Sequence, residues 1–284
     1  MAGALFLPKA KATIVQEATL HVLERTGVYL DHEEAEALFL DNGATKDEFG
    51  RILLPRAMVN QALETVCDRV QFYDRDGNRS IVVRNGKTSF GPGSDALYNM
   101  DAETGELRRS VLADVARNVT VADALPGFDF VMSMALPADV PPYKTYATVF
   151  AEMARHTTKP LAVTASSLDD TKQIHKVASL VAGGEDALRS KPFYIASLEP
   201  ISPLKMDRSS TERLLYCAEH GIPFVYASGA NCGSGAPVTP VGGLVQGSAE
   251  SLSGLVLAML KNEQARFVYG SNTSVLDMTT SIVS

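Results

Sequence analysis

Five short β-branched or aromatic runs recur from Phe128 onward, and this recurrence constrains the fold more than any other feature of the sequence. They begin at Phe128 (FDFVMSM), Pro160 (PLAVTAS), Phe193 (FYIASLE), Pro223 (PFVYAS) and Arg266 (RFVYGS), with starts 32, 33, 30 and 43 residues apart. Apolar spacing predicts one helix in each gap, over 146–155, 171–181, 208–220 and 245–260. Parallel neighbours need a connection of a dozen residues or more, so regular strand-helix alternation predicts an α/β fold with a parallel sheet and crossover helices. Each run ends in small or polar groups, namely Ser133, Ser166-Ser167, Glu199, Ser228 and Ser271. A (β/α)8 TIM barrel gathers such strand ends at one mouth. An open dinucleotide-binding sheet would instead carry a G-x-G-x-x-G fingerprint, and GPGSDA at Gly91 lacks the third glycine. Only about five βα units are visible, so the expected architecture is an incomplete barrel.

Ahead of it the pattern differs. Helices are expected over 13–26, stopped by Gly27, over 31–40, with Asp31 as N-cap and Glu34 three residues on, and over 55–66. Runs 70–73 and 81–83, joined by Asp76-Gly77-Asn78, predict a hairpin. The expected division is a helical and hairpin extension over 1–110 and a partial-barrel catalytic domain over 111–284.

Composition excludes several classes. A net charge of −7 with scattered Lys and Arg leaves no basic stripe for nucleic acid. Cys67, Cys217 and Cys232 are odd in number and widely spaced, which argues against a disulfide framework and for a reducing, cytoplasmic setting. The opening MAGALFLPKAK is too short for a membrane span and lacks an export pattern. His21, His32, His175 and His220 are expected on outer helix faces and His156 at a helix end, with no metal-ligand spacing. GANCGSG around Cys232 is the nearest thing to a nucleophile elbow and has no partner histidine following it. Lys159 and Lys191 precede their strands, the wrong end for a lysine-based aldolase or lyase.

Seven segments in order add a second line. HVLERTGVYL (21–30), TSFGPGSDALYNMDAETGELRRS (88–110), TTKPLAVTA (157–165), EPISPLKMD (199–207), EHGIPFVYASG (219–229), GAPVTPVGGLVQ (235–246) and VYGSNTSVLDM (268–278) together resemble the trimethylamine methyltransferase family. The resemblance implies a TIM-barrel enzyme that moves a methyl group from a methylated amine, trimethylamine or a quaternary amine such as glycine betaine, to cobalt. The cobalt corrinoid is supplied by a partner protein, so no cofactor is expected to bind this chain directly. Members of the family continue past the VYGS-type motif, some with pyrrolysine in that later segment, so the chain looks like a fragment. The alternative is a non-catalytic or truncated remnant acting only through protein association, and a homo-oligomer is expected.

The chemistry asks for few charges. An amine leaves readily only if its nitrogen is already cationic, so the protein must orient a cation and exclude water. Aromatic rings attract such a cation by about 0.5–2 kcal/mol each. Glu199, at the end of the third run, is the candidate catalytic carboxylate, with a salt bridge to a neighbouring Arg or Lys as its structural alternative. Candidate substrate contacts are Tyr98, Asp95, Asn231, Ser271 and Gly235. Tyr98 could equally pack its turn onto the body of the protein, and Tyr269 reads as structural. Asp277 is a further polar candidate, and like Asp95 and Asn231 it lies on a loop, where Asx residues more often cap turns and helices. The glycines of GANCGSGAP predict a mouth loop whose backbone approaches its ligand closely, with Pro237 and Pro240 stiffening the exit and Gly242-Gly243 preceding the helix. That loop either offers helix N–H donors to an anion or leaves room for the planar corrinoid.

Overall fold

The computed structural model describes residues 7–84 and 86–283; the opening apolar stretch 1–6, Asn85 and Ser284 lie outside the described residues. The chain forms two compact units, one built from the residues up to Asp68 together with those from Leu198 onward, the other from Arg69–Ser197.

The first unit opens with α1 (Lys9–Arg25), β1 (Val28–Leu30), α2 (Glu33–Asp41), β2 (Thr45–Lys46), β3 (Arg51–Leu53) and α3 (Arg56–Thr65). Helix α1 buries Thr19, Leu20 and Leu23 and stops where Gly27 turns left-handed at φ 64°. Glycine is required there, because a Cβ would overlap the Ile52 carbonyl. The expected cap of α2 is displaced by one residue. His32, extended at φ −164°, accepts from the Ala35 N–H through Nδ1 at 3.3 Å, while Asp31 lies before the cap, its N–H bonded to the Met206 carbonyl and its carboxylate facing Arg208 at 3.4 Å.

The second unit begins with the expected hairpin, β4 (Arg69–Tyr73) against β5 (Ser80–Arg84). Its turn is set by Gly77 at φ 71° and by the Asp74 carboxylate, which accepts from the N–H groups of Asn78 and Arg79. A further hairpin, β6 (Tyr98–Met100) with β7 (Leu107–Arg109), forms where Tyr-Asn-Met-Asp after GPGSDA reads as turn-like, and helix α4 (Leu112–Ala124) follows it, unannounced by the sequence pattern. Then come α5 (Thr145–His156), β8 (Leu161–Val163), α6 (Leu168–Ala182), α7 (Glu185–Ser190) and β9 (Tyr194–Leu198). Strands β8 and β9 pair in parallel, Leu161 opposite Tyr194. The Phe128 run forms a single bridge, Val131 to Leu161, rather than a strand. The N–H groups of Asp129 and Phe130 bond to Phe90, and Met134 turns to φ 55°, so too little extended backbone remains.

The first unit resumes with β10 (Lys205–Met206), α8 (Arg208–His220), β11 (Phe224–Ser228), β12 (Asn231–Cys232), α9 (Pro240–Lys261), β13 (Phe267–Ser271), β14 (Ser274–Asp277) and β15 (Ile282–Val283). β11 and β13 run parallel and in register from Phe224 opposite Phe267 to Ser228 opposite Ser271. β12 and β14 extend the same pairing past the strand ends. Helix α9 starts at Pro240, five residues before the expected start, capped by Thr239 Oγ1, which accepts from the Gly242 N–H. It is the core helix of its unit and, among the described residues, the one helix long and apolar enough to cross a membrane, with 72% of its apolar window buried. The α/β class with parallel strands and helical crossovers stands. Among the described residues no strand pairing closes a ring, and four of the five expected runs form strands.

Candidate functional site

The ends of β11 and β13 carry a connected polar cluster. Strand alternation puts Phe224, Tyr226 and Ser228 on one side of β11. That side meets α9: a Cβ at Gly254 would overlap the Tyr226 ring. Ser228 therefore ends the strand pointing at α9, where its hydroxyl donates to the Glu250 carboxylate. Tyr269 shares the helix side of β13, its hydroxyl donating to Ser248 Oγ at 2.8 Å, and Ser271 follows the same alternation. The opposite side carries Val225, Ala227 and Gly270, where a Cβ on Gly270 would sit 2.7 Å from that of Ala227.

Glu250 is 1% exposed and accepts from four neutral donors. Oε1 takes the Leu204 N–H at 2.8 Å and Gln246 Nε2 at 2.9 Å; Oε2 takes Ser202 Oγ at 2.7 Å and Ser228 Oγ. Gln246 Nε2 also donates to the Gly235 carbonyl at 2.7 Å. One buried carboxylate thus joins the loop after β9, the tip of β11 and the glycine-rich loop. Sequence reasoning missed it, although a signal was there: Glu250 is the single charged residue between Pro240 and Leu260.

The candidate residues of this unit fall around that cluster. Glu199 is exposed at the end of β9 and has no side-chain partner among the described residues, so the alternative of a salt bridge is not what the structure shows. Asn231 is a turn organiser: its amide oxygen accepts from Ser274 Oγ and its carbonyl from the N–H groups of Ser234 and Ala236. Gly235 lies where an added Cβ would make ordinary contact with Ser202 at 3.5 Å. Ser271 is exposed and shares a hydrogen bond with Thr273 at 2.9 Å. Cys232 is buried beneath Gly243, where a Cβ would overlap its sulfur; Gly242 and Gly243 belong to the first turn of α9 rather than preceding the helix. Asp277 caps its own turn, and the Thr279 and Thr280 donors hold its carboxyl below the usual range.

Asp95 and Tyr98 belong to the other unit. Asp95 takes φ 59°, its N–H facing Ser133 Oγ at 3.5 Å. Tyr98 is 53% exposed, and its ring face already holds a cation: the Arg109 guanidinium, its cross-strand partner, stands 5.4 Å from the ring centre. A cavity of about 10 Å³ beside Ser94, Ser133 and Thr164 has room for roughly one water. Ser166 and Ser167 are absorbed in capping α6 through Asp170. Lys159 closes α4 by donating to the Ala122 and Leu125 carbonyls, and Lys191 donates to Gly77, so both are structural. His175, expected on an outer face, is buried inside α6 packing. Burial pushes the Cys217 thiol up to about 12. Among the described residues no group of three His, Cys, Asp or Glu is arranged to hold a metal ion.

An α/β chain with this architecture is similar to solved methylamine methyltransferases. The hydroxylamine complex of MtmB overlays with a TM-score of 0.59 at 12% identity, covering 94% of this chain and 55% of that one. The Methanosarcina barkeri monomethylamine methyltransferase overlays at 0.53 and 11% identity, covering 93% and 58%. The family model for trimethylamine methyltransferase (MTTB) matches residues 4–282, and the chain belongs to that family. It is 28% identical over 265 residues to trimethylamine methyltransferase MttB of Desulfitobacterium hafniense DCB-2, covering 93% of this chain and 53% of the relative. It is 26% identical over 267 residues to glycine betaine methyltransferase of D. hafniense Y51, covering 93% and 55%. Against trimethylamine methyltransferase MttB2 of Methanosarcina mazei it is 29% identical over 277 residues, covering 93% and 54%. The chain spans about half the length of these curated relatives.

Proposed function

We propose that this chain serves the demethylation of a methylated amine, trimethylamine or a quaternary amine such as glycine betaine, with the cobalt of a separate corrinoid protein as methyl acceptor. In a quaternary amine the carbon–nitrogen bond breaks with its electron pair left on nitrogen, which departs as a neutral tertiary amine, while the methyl carbon bonds through the electron pair of the reduced cobalt brought by the partner. Trimethylamine enters the same step once its nitrogen is made cationic by protonation. The protein's part is to hold the onium carbon in line and keep water out. In this reading Glu199 faces the cationic nitrogen, and the loop carrying Asn231 and Gly235, with Ser271 beside it, lines the approach. The parallel pairs are read as units of a (β/α)8 barrel whose strand ends form the mouth. The observation that carries the proposal is the family match over residues 4–282, with relatives named trimethylamine and glycine betaine methyltransferases. The test mixes the protein with a reduced corrinoid protein and either amine, and follows the cobalt absorption. Methyl-cobalt should form with at least one amine, and Glu199→Gln should slow it by roughly tenfold or more. No spectral change with either amine, in a mixture where a longer relative methylates the same acceptor, would refute the proposal.

A further inference from the structure

We propose that Glu250 is a positioning residue: it fixes, from beneath, the two loops that the proposed function assigns to the substrate. The substrate part of this inference rests on that reading; the clamp itself rests on geometry alone. The loop 199–206 is held at two points, Ser202 Oγ and the Leu204 N–H, each bonded to a different oxygen of the carboxylate. The glycine-rich loop is held through Gln246, one turn earlier in α9, which bonds both Glu250 and the Gly235 carbonyl. The two loops also meet each other, since an added Cβ on Gly235 would lie 3.5 Å from the Ser202 side chain. Ser228 ties the carboxylate to the tip of β11. A carboxylate this buried, among four neutral donors and, among the described residues, no cation in ion-pair distance, is a poor choice for stability; an apolar side chain of similar size would fill the helix core at less cost. What it supplies is a fixed geometry: four donors from three chain segments converge on two oxygens.

Two variants in a Cys67→Ser background test the clamp, with Cys232 as reporter because it is buried under the glycine-rich loop. In Glu250→Met an apolar side chain of matching length replaces the carboxylate, and all four hydrogen bonds to it vanish. Ser202→Ala removes one donor from a half-buried site. Circular dichroism and thermal melting report the fold; amide exchange at Leu204 and thiol labelling of Cys232 report the loops; titration with tetramethylammonium reports the site. Both variants should keep the native spectrum. Leu204 exchange and Cys232 labelling should rise roughly tenfold or more in Glu250→Met and by a smaller factor in Ser202→Ala. Tetramethylammonium binding should weaken severalfold in Ser202→Ala without a matching drop in melting temperature, a split that a merely structural role would not give. If Glu250→Met does not fold, Ser202→Ala decides. Exchange and labelling within twofold of wild type in a folded variant would overturn the clamp. Absence of tetramethylammonium binding to the wild-type protein would instead strike the substrate reading, leaving the loop measurements to judge Glu250.

Discussion

Asp114 is fully buried at the start of α4, and its carboxylate takes a bidentate pair from Arg108, at 2.7 and 2.8 Å, together with the Val111 N–H at 2.9 Å. These bonds fasten the β6–β7 hairpin to the helix that follows it. Arg108, first among the causes, holds the Asp114 carboxyl well below the usual carboxylate range. A depressed folded-state pKa contributes stability that is present above the unfolded value and is lost as pH falls toward the folded one. Asp114→Asn should therefore destabilise the protein at pH 7, by about 1–2 kcal/mol rather than the larger cost of breaking a fully buried pair, because Arg108 is partly open to solvent. The gap from wild type should narrow steadily once the pH drops below about 4, as the unfolded carboxyl begins to take up protons. Urea unfolding of both proteins between pH 7 and pH 2 measures this; a gap that stays constant with pH would show that the ion pair is not its source. Asp114 could not be singled out in the sequence, because a buried carboxylate is identified by its donors and those come from other segments; Glu250 is marked only as the lone charge in an apolar helix, with nothing to name its partners.

At the scale of elements, α9 depends on small residues for its seat. A Cβ at Gly243 would overlap the Cys232 sulfur and one at Gly254 the Tyr226 ring, whereas Gly235 in the adjoining loop has ordinary room. Ala at Gly243 or Gly254 gains up to about 1 kcal/mol of helix propensity, yet overpacking should reverse this to a net loss of about 1–3 kcal/mol. Gly235→Ala should leave the melting temperature nearly unchanged. Equal melting temperatures for all three would mean that the helix shifts freely on its strands. Periodicity makes the helices legible: the expected span 208–220 matches α8 to the residue, and the strands at Leu161, Tyr194, Phe224 and Phe267 lie inside their expected runs. Where it failed, contacts outside the segment decided. The Phe128 run lost its strand to bonds with Phe90, and α4 has no side-chain cap on Val111 to announce it, only a buried Asp114 doing that work from inside. Of the candidate site, the residue types at the strand ends were legible. Their partners were not: Ser166 and Ser167 serve a helix cap, and Tyr98 serves Arg109.

For the molecule as a whole, association is set by two opposed terms. Among the described residues β13 pairs with β11 on one side only, and a parallel strand with a free edge presents unpaired N–H and C=O groups. Beside it Tyr269, Val275, Met278, Val283 and, at 66% exposure, Ile282 are open to solvent. Clustered exposed apolar groups next to a free strand edge favour a partner surface over water. Against this stands a net charge of −7, which makes like copies repel at long range. Repulsion is screened beyond about 8 Å at physiological ionic strength, while burial of apolar side chains is not. The protein alone should therefore self-associate, and more strongly as salt is raised. Sedimentation velocity across a concentration series at low and physiological salt resolves the balance. A single monomeric boundary at every concentration and both salts would show that the β13 edge is not an association surface. Association that weakens with salt would assign the contact to ion pairs between copies instead.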